Sequence, residues 1–252
     1  MINLIIDGKK IAVPKASTVL NAAKKLNIDI PTLCYHEALP PDGQCRICIV
    51  EMSIEKRGRK YNWIDAACVY PVEQGLVVDT NSKRVKKQRK LIIELMLSRA
   101  PNSEILKKLA LRYGAKIDRF TSIDKGESNC ILCGLCVRVC NELVKTGGIG
   151  MAYRGINKKV VTPFKIASSI CIGCTSCANV CPTGAIKVIE DNKKTNIKNW
   201  GVKLELQKCS NCGNPFAPVI HINELKEKTK VDTTILNRCP GCRRKLTRLI
   251  KS

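Results

Sequence analysis

Aromatic residues make up only 4% of this 252-residue chain: two tryptophans, five tyrosines and three phenylalanines. So few large side chains cannot furnish one sizeable core, and metal sites would have to supply much of the folding free energy, as in small metallo-domains. The length suits two or three small domains. No stretch approaches the ~18 apolar residues needed to cross a bilayer; the run Leu91–Leu97 is short and includes Glu94. Met1–Gly8 has neither a basic start nor a long apolar stretch, so no export signal is expected. Acidic residues number 21 against 44 basic ones, a formal net charge of +23. No flavin, pterin or full dinucleotide fingerprint is present. Gly147-Gly148-Ile149-Gly150 follows no clear strand and reads as a loop turn.

Cysteine, by contrast, is abundant: sixteen residues in four groups of four. In an exported protein they would suggest disulfides. Without an export signal they point to a reducing, cytoplasmic compartment in which clustered thiolates bind metal. A four-thiolate site around Zn²⁺ or a doubly positive cluster core nets about −2, so four such sites bring the charge down to about +15. The remaining excess suits acidic partner surfaces or simply a solvated lysine-rich face, and nucleic acid less well.

Local patterns give an α+β reading. Residues 2–13 read as two strands about the turn Asp7-Gly8, and Ser17 or Thr18 caps a short helix over Val19–Leu26. Strands are expected around Ile47–Met52, Asn62–Ala67 and Leu76–Asp79, a small β-grasp pattern with a long cysteine-bearing loop. A helix over Asn81–Ser98 has a basic face of Lys83, Arg84, Lys86, Lys87, Arg89 and Lys90 and an apolar stripe of Val85, Ile92, Leu95 and Met96. Pro101 stops it, Asn102 or Ser103 caps a second helix and Gly114 ends that one. The expected domains are 1–80, a helical connector over 81–125, a third region over 126–190, a polar linker over 191–200 and a C-terminal module over 200–252.

The first quartet is Cys34, Cys45, Cys48 and Cys68, spaced C-x10-C-x2-C-x19-C, with Gly43 placed to turn backbone amides toward thiolate and sulfide charge. Cys130-x2-Cys133-x2-Cys136-x3-Cys140 and Cys171-x2-Cys174-x2-Cys177-x3-Cys181-Pro182 form an internal repeat with the two-[4Fe–4S] bacterial ferredoxin pattern. In that pattern three thiolates cover one cubane and the fourth reaches its neighbour. Cys130, Cys133, Cys136 and Cys181 then hold one cluster, and Cys171, Cys174, Cys177 and Cys140 the other. Asn141 stands where the first repeat would carry proline. The fourth quartet, Cys209, Cys212, Cys239 and Cys242, is two Cys-x-x-Cys knuckles 26 residues apart. Two hairpin knuckles set four thiolates tetrahedrally, which suits one structural Zn²⁺ in a zinc-ribbon-like module; an iron–sulfur cluster or a single iron stays open. His36, near Cys34, reads as a surface or supporting residue, and His221 as no ligand because four thiolates complete the shell.

The strings "TLCYHEALPPDGQCRICIVEM", "AACVYPVEQGLVVDTNSKRVKKQRKLIIELML" and "CILCGLCVRVCNE" resemble the N-terminal region of the complex I large peripheral subunit. They are also similar to the relay domains of iron-only hydrogenases and to the diaphorase-linked subunits of bidirectional hydrogenases. The resemblance implies a [2Fe–2S] cluster on Cys34, Cys45, Cys48 and Cys68. It departs at residues 98–129, where relatives supply one histidine and three cysteines for a further cluster and this chain has neither.

The function so implied is an electron-relay subunit with one [2Fe–2S] and two [4Fe–4S] clusters and no catalytic site of its own. Its partners would be a flavin/NAD(P)-binding diaphorase subunit and a hydrogenase, formate dehydrogenase or ferredoxin-linked unit. In relatives the [2Fe–2S] domain faces the flavin subunit. Two other readings compete. A self-contained short hydrogenase lacks a further catalytic domain after Cys181. A metal-stabilised nucleic-acid-binding or cluster-sensing regulator fits the basic run Arg243–Arg248, which has no interleaved aromatics.

Overall fold

The structure is a computed structural model that describes residues 1–123, 128–166, 169–191 and 193–250, without the side chains of Lys165 and 247–250. The boundary expected at 125–126, Asn192 of the expected linker, and the side chains of Thr247 and Arg248 lie outside the described residues. The chain divides into two compact units, 1–135 with 182–185, and 136–181 with 186–252.

The first unit is built on a five-stranded mixed sheet in the order β2-β1-β5-β3-β4, where β1 is Ile2–Ile6, β2 Lys9–Val13, β3 Ile49–Lys56, β4 Arg59–Ala66 and β5 Val77–Asp79. β1 and β5 run parallel and the other pairs antiparallel, the β-grasp arrangement. Residues Leu4, Ile6, Val50, Met52 and Val78 alternate along these strands onto one face, as period-two patterning requires, and pack with helix α1, Val19–Lys25. Thr18 caps α1 by accepting from the Asn21 amide.

Helices α2, Lys83–Arg99, and α3, Glu104–Tyr113, form a hairpin ended by Gly114 in the left-handed region. The face α2 buries differs from the stripe its sequence suggests. Val85, Arg89, Ile93, Glu94 and Leu97 are buried, whereas Leu95 is half exposed. Arg89, expected among the solvated cations, is 1% exposed. Glu94 accepts from the Lys116 amide at 3.0 Å and from Arg119 Nη1 at 2.6 Å, which ties the chain beyond α3 back to α2. Those bonds hold its carboxyl below the usual carboxylate range, the Lys116 amide having the largest effect.

Two short helices carry cysteines of the ferredoxin repeat, α4, Leu135–Arg138, and α5, Ser176–Asn179. The second unit contains the hairpin of β6, Gly150–Ala152, and β7, Lys159–Val161. A four-stranded antiparallel sheet follows, in the order β11-β10-β9-β8: β8 Val188–Glu190, β9 Lys194–Ile197, β10 Val202–Lys208 and β11 Pro215–Pro218. The stretch 191–200, expected to be a linker, therefore contributes a strand and the tight turn 198–200 of a packed sheet, with Trp200 buried. Helices α6, Val219–Lys228, α7, Thr233–Leu236, and α8, Pro240–Ile250, come after the sheet. Among the described residues no helix is long and apolar enough to cross a membrane.

Candidate metal centres

Cys34, Cys45, Cys48 and Cys68 are all buried, on the loop between α1 and β3 and just after β4. The Cys45 amide donates to Cys34 Sγ at 3.3 Å. Gly43 adopts a φ of +70°, and a Cβ there would sit 3.2 Å from both Cγ atoms of Val69, so any other residue would strain the backbone and press on Val69. The Cys34 thiol is pushed up by its hydrogen bond with Cys45, and Cys68 by its hydrogen bond with Cys48, while Cys45 and Cys48 are pushed down. Four buried sulfurs whose thiols perturb one another suit a multi-thiolate centre, whose assembly expels their protons. His36 is exposed and its Nδ1 accepts from the Ala38 amide.

Arg89 reaches this centre from α2. Its Nε donates to the carbonyl of Ile47 at 3.1 Å and its Nη2 to that of Ile49 at 2.6 Å, so the guanidinium clasps the backbone on either side of Cys48. Gln44, next to Cys45, touches the second centre's first loop. A Cβ on Gly134 would meet Gln44 Oε1 at 3.2 Å. In that loop Cys130 donates its amide to Ser128 Oγ and Cys130 Sγ accepts from the Leu132 amide at 3.4 Å. Cys136 lies on α4, and Cys181 lies two residues beyond the end of α5.

Cys140, Cys171, Cys174 and Cys177 line one small cavity that is partly open to solvent. Cys140 sits in a widened helical turn, Val139–Val144, its Sγ 3.4 Å from Thr146 Oγ1. Burial pushes the Cys171 thiol up and the Cys177 thiol up to about 11. Gly148 and Ile149 line the same cavity, a wall rather than a nucleotide loop. Gly173, φ +68°, lies under β10 and β11, where a Cβ would come 2.9 Å from Pro218 Cγ. Four thiols around one apolar cavity fit a cubane, which needs thiolates on all sides and amides aimed at sulfur.

Cys209, Cys212, Cys239 and Cys242 place their sulfurs within 4.8 Å of one another, with Cys212 Sγ 3.8 Å from Cys239 Sγ. A tetrahedral ion with metal–sulfur bonds of ~2.3 Å has sulfur–sulfur edges of about 3.8 Å, so the spacing fits one ion. The Cys239 amide donates to Cys209 Sγ at 3.2 Å and is the main reason that thiol is pulled down to about 6. Asn211 Nδ2 donates to Cys242 Sγ at 3.4 Å. The first pair occupies the β10–β11 hairpin, as expected. The second does not form another hairpin: Cys239 directly precedes α8, and Cys242 lies in its first turn. His221 lies outside this group, on α6.

The sixteen cysteines form no disulfide. Residues 1–83 match a domain described as a 2Fe-2S iron–sulfur cluster binding domain, and residues 129–185 and 170–217 match a 4Fe-4S dicluster domain. The chain is an iron–sulfur protein with both domain types. The second dicluster match takes in Cys209 and Cys212 but ends before Cys239. The chain is 35% identical over 215 residues to the NADP-reducing hydrogenase subunit HndD of Solidesulfovibrio fructosivorans, covering 74% of this chain and 36% of that protein. It is 31% identical over 209 residues to the NADH-ubiquinone oxidoreductase 75 kDa subunit of Reclinomonas americana, covering 74% of this chain and 29% of that one. It therefore spans about a third of the length of these relatives. A chain in a crystal structure of NAD+-reducing [NiFe]-hydrogenase in the H2-reduced state superimposes with a TM-score of 0.59 at 25% identity, over 79% of this chain and 88% of that one. These findings bear out the resemblance read from the cysteine motifs.

The motifs did not reveal Arg89, Gln44 or Trp200 at the centres. Only Trp200 left a trace, a lone aromatic residue before glycine in a polar stretch.

Proposed function

We propose that this chain relays electrons within a multi-subunit NAD(P)-linked oxidoreductase, between a flavin-bearing diaphorase subunit and a hydrogenase-, formate dehydrogenase- or ferredoxin-linked unit, in the cytoplasm. The observation that carries the reading is the gathering of Cys140, Cys171, Cys174 and Cys177, from two distant motifs, around one cavity. Cys34, Cys45, Cys48 and Cys68 would hold a [2Fe–2S] cluster. Cys140 with Cys171, Cys174 and Cys177 would hold one [4Fe–4S] cluster. On their spacing alone, Cys130, Cys133, Cys136 and Cys181 would hold the other. The clusters, when bound, supply one-electron chemistry; the protein supplies spacing, amide donors and exclusion of water. The Gln44–Gly134 contact supports direct exchange between the [2Fe–2S] domain and the first ferredoxin loop, with no further cluster over 98–129.

For the fourth quartet we propose one structural Zn²⁺, supported by the 3.8 Å sulfur separation, in a module formed by the β10–β11 hairpin and α8. Zinc has no redox chemistry, so this module would shape a docking surface.

Metal analysis of anaerobic protein should find about ten iron atoms and one zinc per chain. Electron paramagnetic resonance (EPR) should show the [2Fe–2S] signal alone vanish in Cys68→Ser. Iron-free wild-type protein would sink the reading, and cubane loss in Cys68→Ser would sink the ligand assignment.

A further inference from the structure

Trp200 is 7% exposed, and its indole Nε1 is fully buried without a hydrogen-bond partner of good geometry among the described residues. An unpaired buried donor costs roughly 1–3 kcal/mol and calls for an acceptor. The ring lines the same cavity as Cys140, Cys171, Cys174 and Cys177, and packs in one apolar cluster with Cys177. Its position is fixed from both sides: β9 and β10 pair antiparallel at Ile197 and Val202, and Gly201, φ +64°, closes the turn between them. The acceptor this geometry offers is the sulfur of Cys177. Of the four thiols that line the cavity, that of Cys177 is buried, whereas those of Cys140, Cys171 and Cys174 are partly exposed.

We propose that Trp200 donates its indole N–H to the Cys177 sulfur of the [4Fe–4S] centre held by Cys140, Cys171, Cys174 and Cys177, and so raises the reduction potential of that cluster. The inference rests on the relay reading above. When one electron enters, no bond breaks and the indole keeps its proton. The added negative charge spreads onto the thiolate sulfurs, so the N–H···S hydrogen bond strengthens in the reduced form and favours it. Trp200 is thus a tuning residue supplied from outside both cysteine motifs.

The test compares wild type with Trp200→Phe as full-length, iron-loaded protein under anaerobic conditions. In an EPR-monitored redox titration with dithionite, one cubane of the variant should titrate at lower potential. A tenfold loss in its reduction equilibrium would be 59 mV for one electron. The [2Fe–2S] potential and the iron content should stay unchanged. In parallel, indole-¹⁵N tryptophan is incorporated into the Trp63→Phe protein, where Trp200 is the sole remaining tryptophan. Pulsed EPR should then show ¹⁵N hyperfine coupling to a reduced cubane. If Trp200→Phe loses the cluster, the ¹⁵N measurement decides alone. Unchanged potentials at full iron, or no ¹⁵N coupling, would overturn this inference and leave the relay reading intact; iron-free wild type would overturn both.

Discussion

The guanidinium of Arg89 donates to the carbonyl of Ile49 at 2.6 Å, the residue directly after Cys48. The same group also reaches the carbonyls of Ile47 and Thr80, and lies over the ring of Tyr113 with Cζ 5.0 Å from its centroid. Burial pulls the Arg89 pKa down from its ordinary value, yet a guanidinium stays charged. Arg89→Met would strip three buried carbonyls of their donor. The expected cost is roughly 2–5 kcal/mol, read as a lower urea midpoint together with weakened [2Fe–2S] occupancy. Arg89→Lys keeps the charge but not the fork, and should recover only part of the loss. A midpoint unmoved in Arg89→Met would show that the clasp contributes nothing.

The Glu94 clamp gives an acid-side prediction. Its carboxylate is favoured in the folded state, so its folded pKa lies below its unfolded one. The resulting stability is present above the unfolded value, near 4.3, and is lost as pH falls through the folded value. Glu94→Gln keeps the shape but loses the charge opposite Arg119, a bond worth about 1–3 kcal/mol. Unfolding at pH 7 should therefore occur at lower denaturant in the variant, with the gap to wild type narrowing below pH 4. A constant gap from pH 7 to pH 3 would exclude the linkage.

Gly173→Ala combines a left-handed backbone with a clash against Pro218. The conformational part alone costs roughly 1–2 kcal/mol. We expect the variant to lose iron from one cubane while the [2Fe–2S] spectrum persists, as seen by iron analysis and low-temperature EPR. Full iron content would mean that β10 and β11 yield to the added methyl.

Cys242→Ser removes one of four ligands from the compact quartet, the sulfur to which Asn211 Nδ2 donates. Zinc content should drop to near zero, with iron unchanged. Proteolysis should begin in α6–α8, because a structural ion's binding free energy is folding free energy for so small a module. Loss of iron in this variant would instead favour a cluster at that site.

Much of the site was legible because cysteine spacing is a local rule. The triplets Cys130-Cys133-Cys136 and Cys171-Cys174-Cys177 declare a cubane loop within seven residues. The strands of the first domain and the caps at Thr18 and Gly114 were legible for the same reason: alternation and capping involve near neighbours only. The helical face of α2 was not. Arg89 sits among Lys86, Lys87 and Lys90, and no periodicity separates a cation that enters the core from cations that stay in water.

The sequence by itself determined the inventory: sixteen sulfurs, their grouping in fours, the missing ligands over 98–129 and the β-grasp strands. Only the tertiary structure decided which distant groups meet them. Arg89 is 41 residues from Cys48 and Trp200 is 23 from Cys177, and each is held in place by packing between elements. The physical reason is that a buried donor's value depends on the acceptor it finds, and that acceptor is fixed by how helices and strands close on one another.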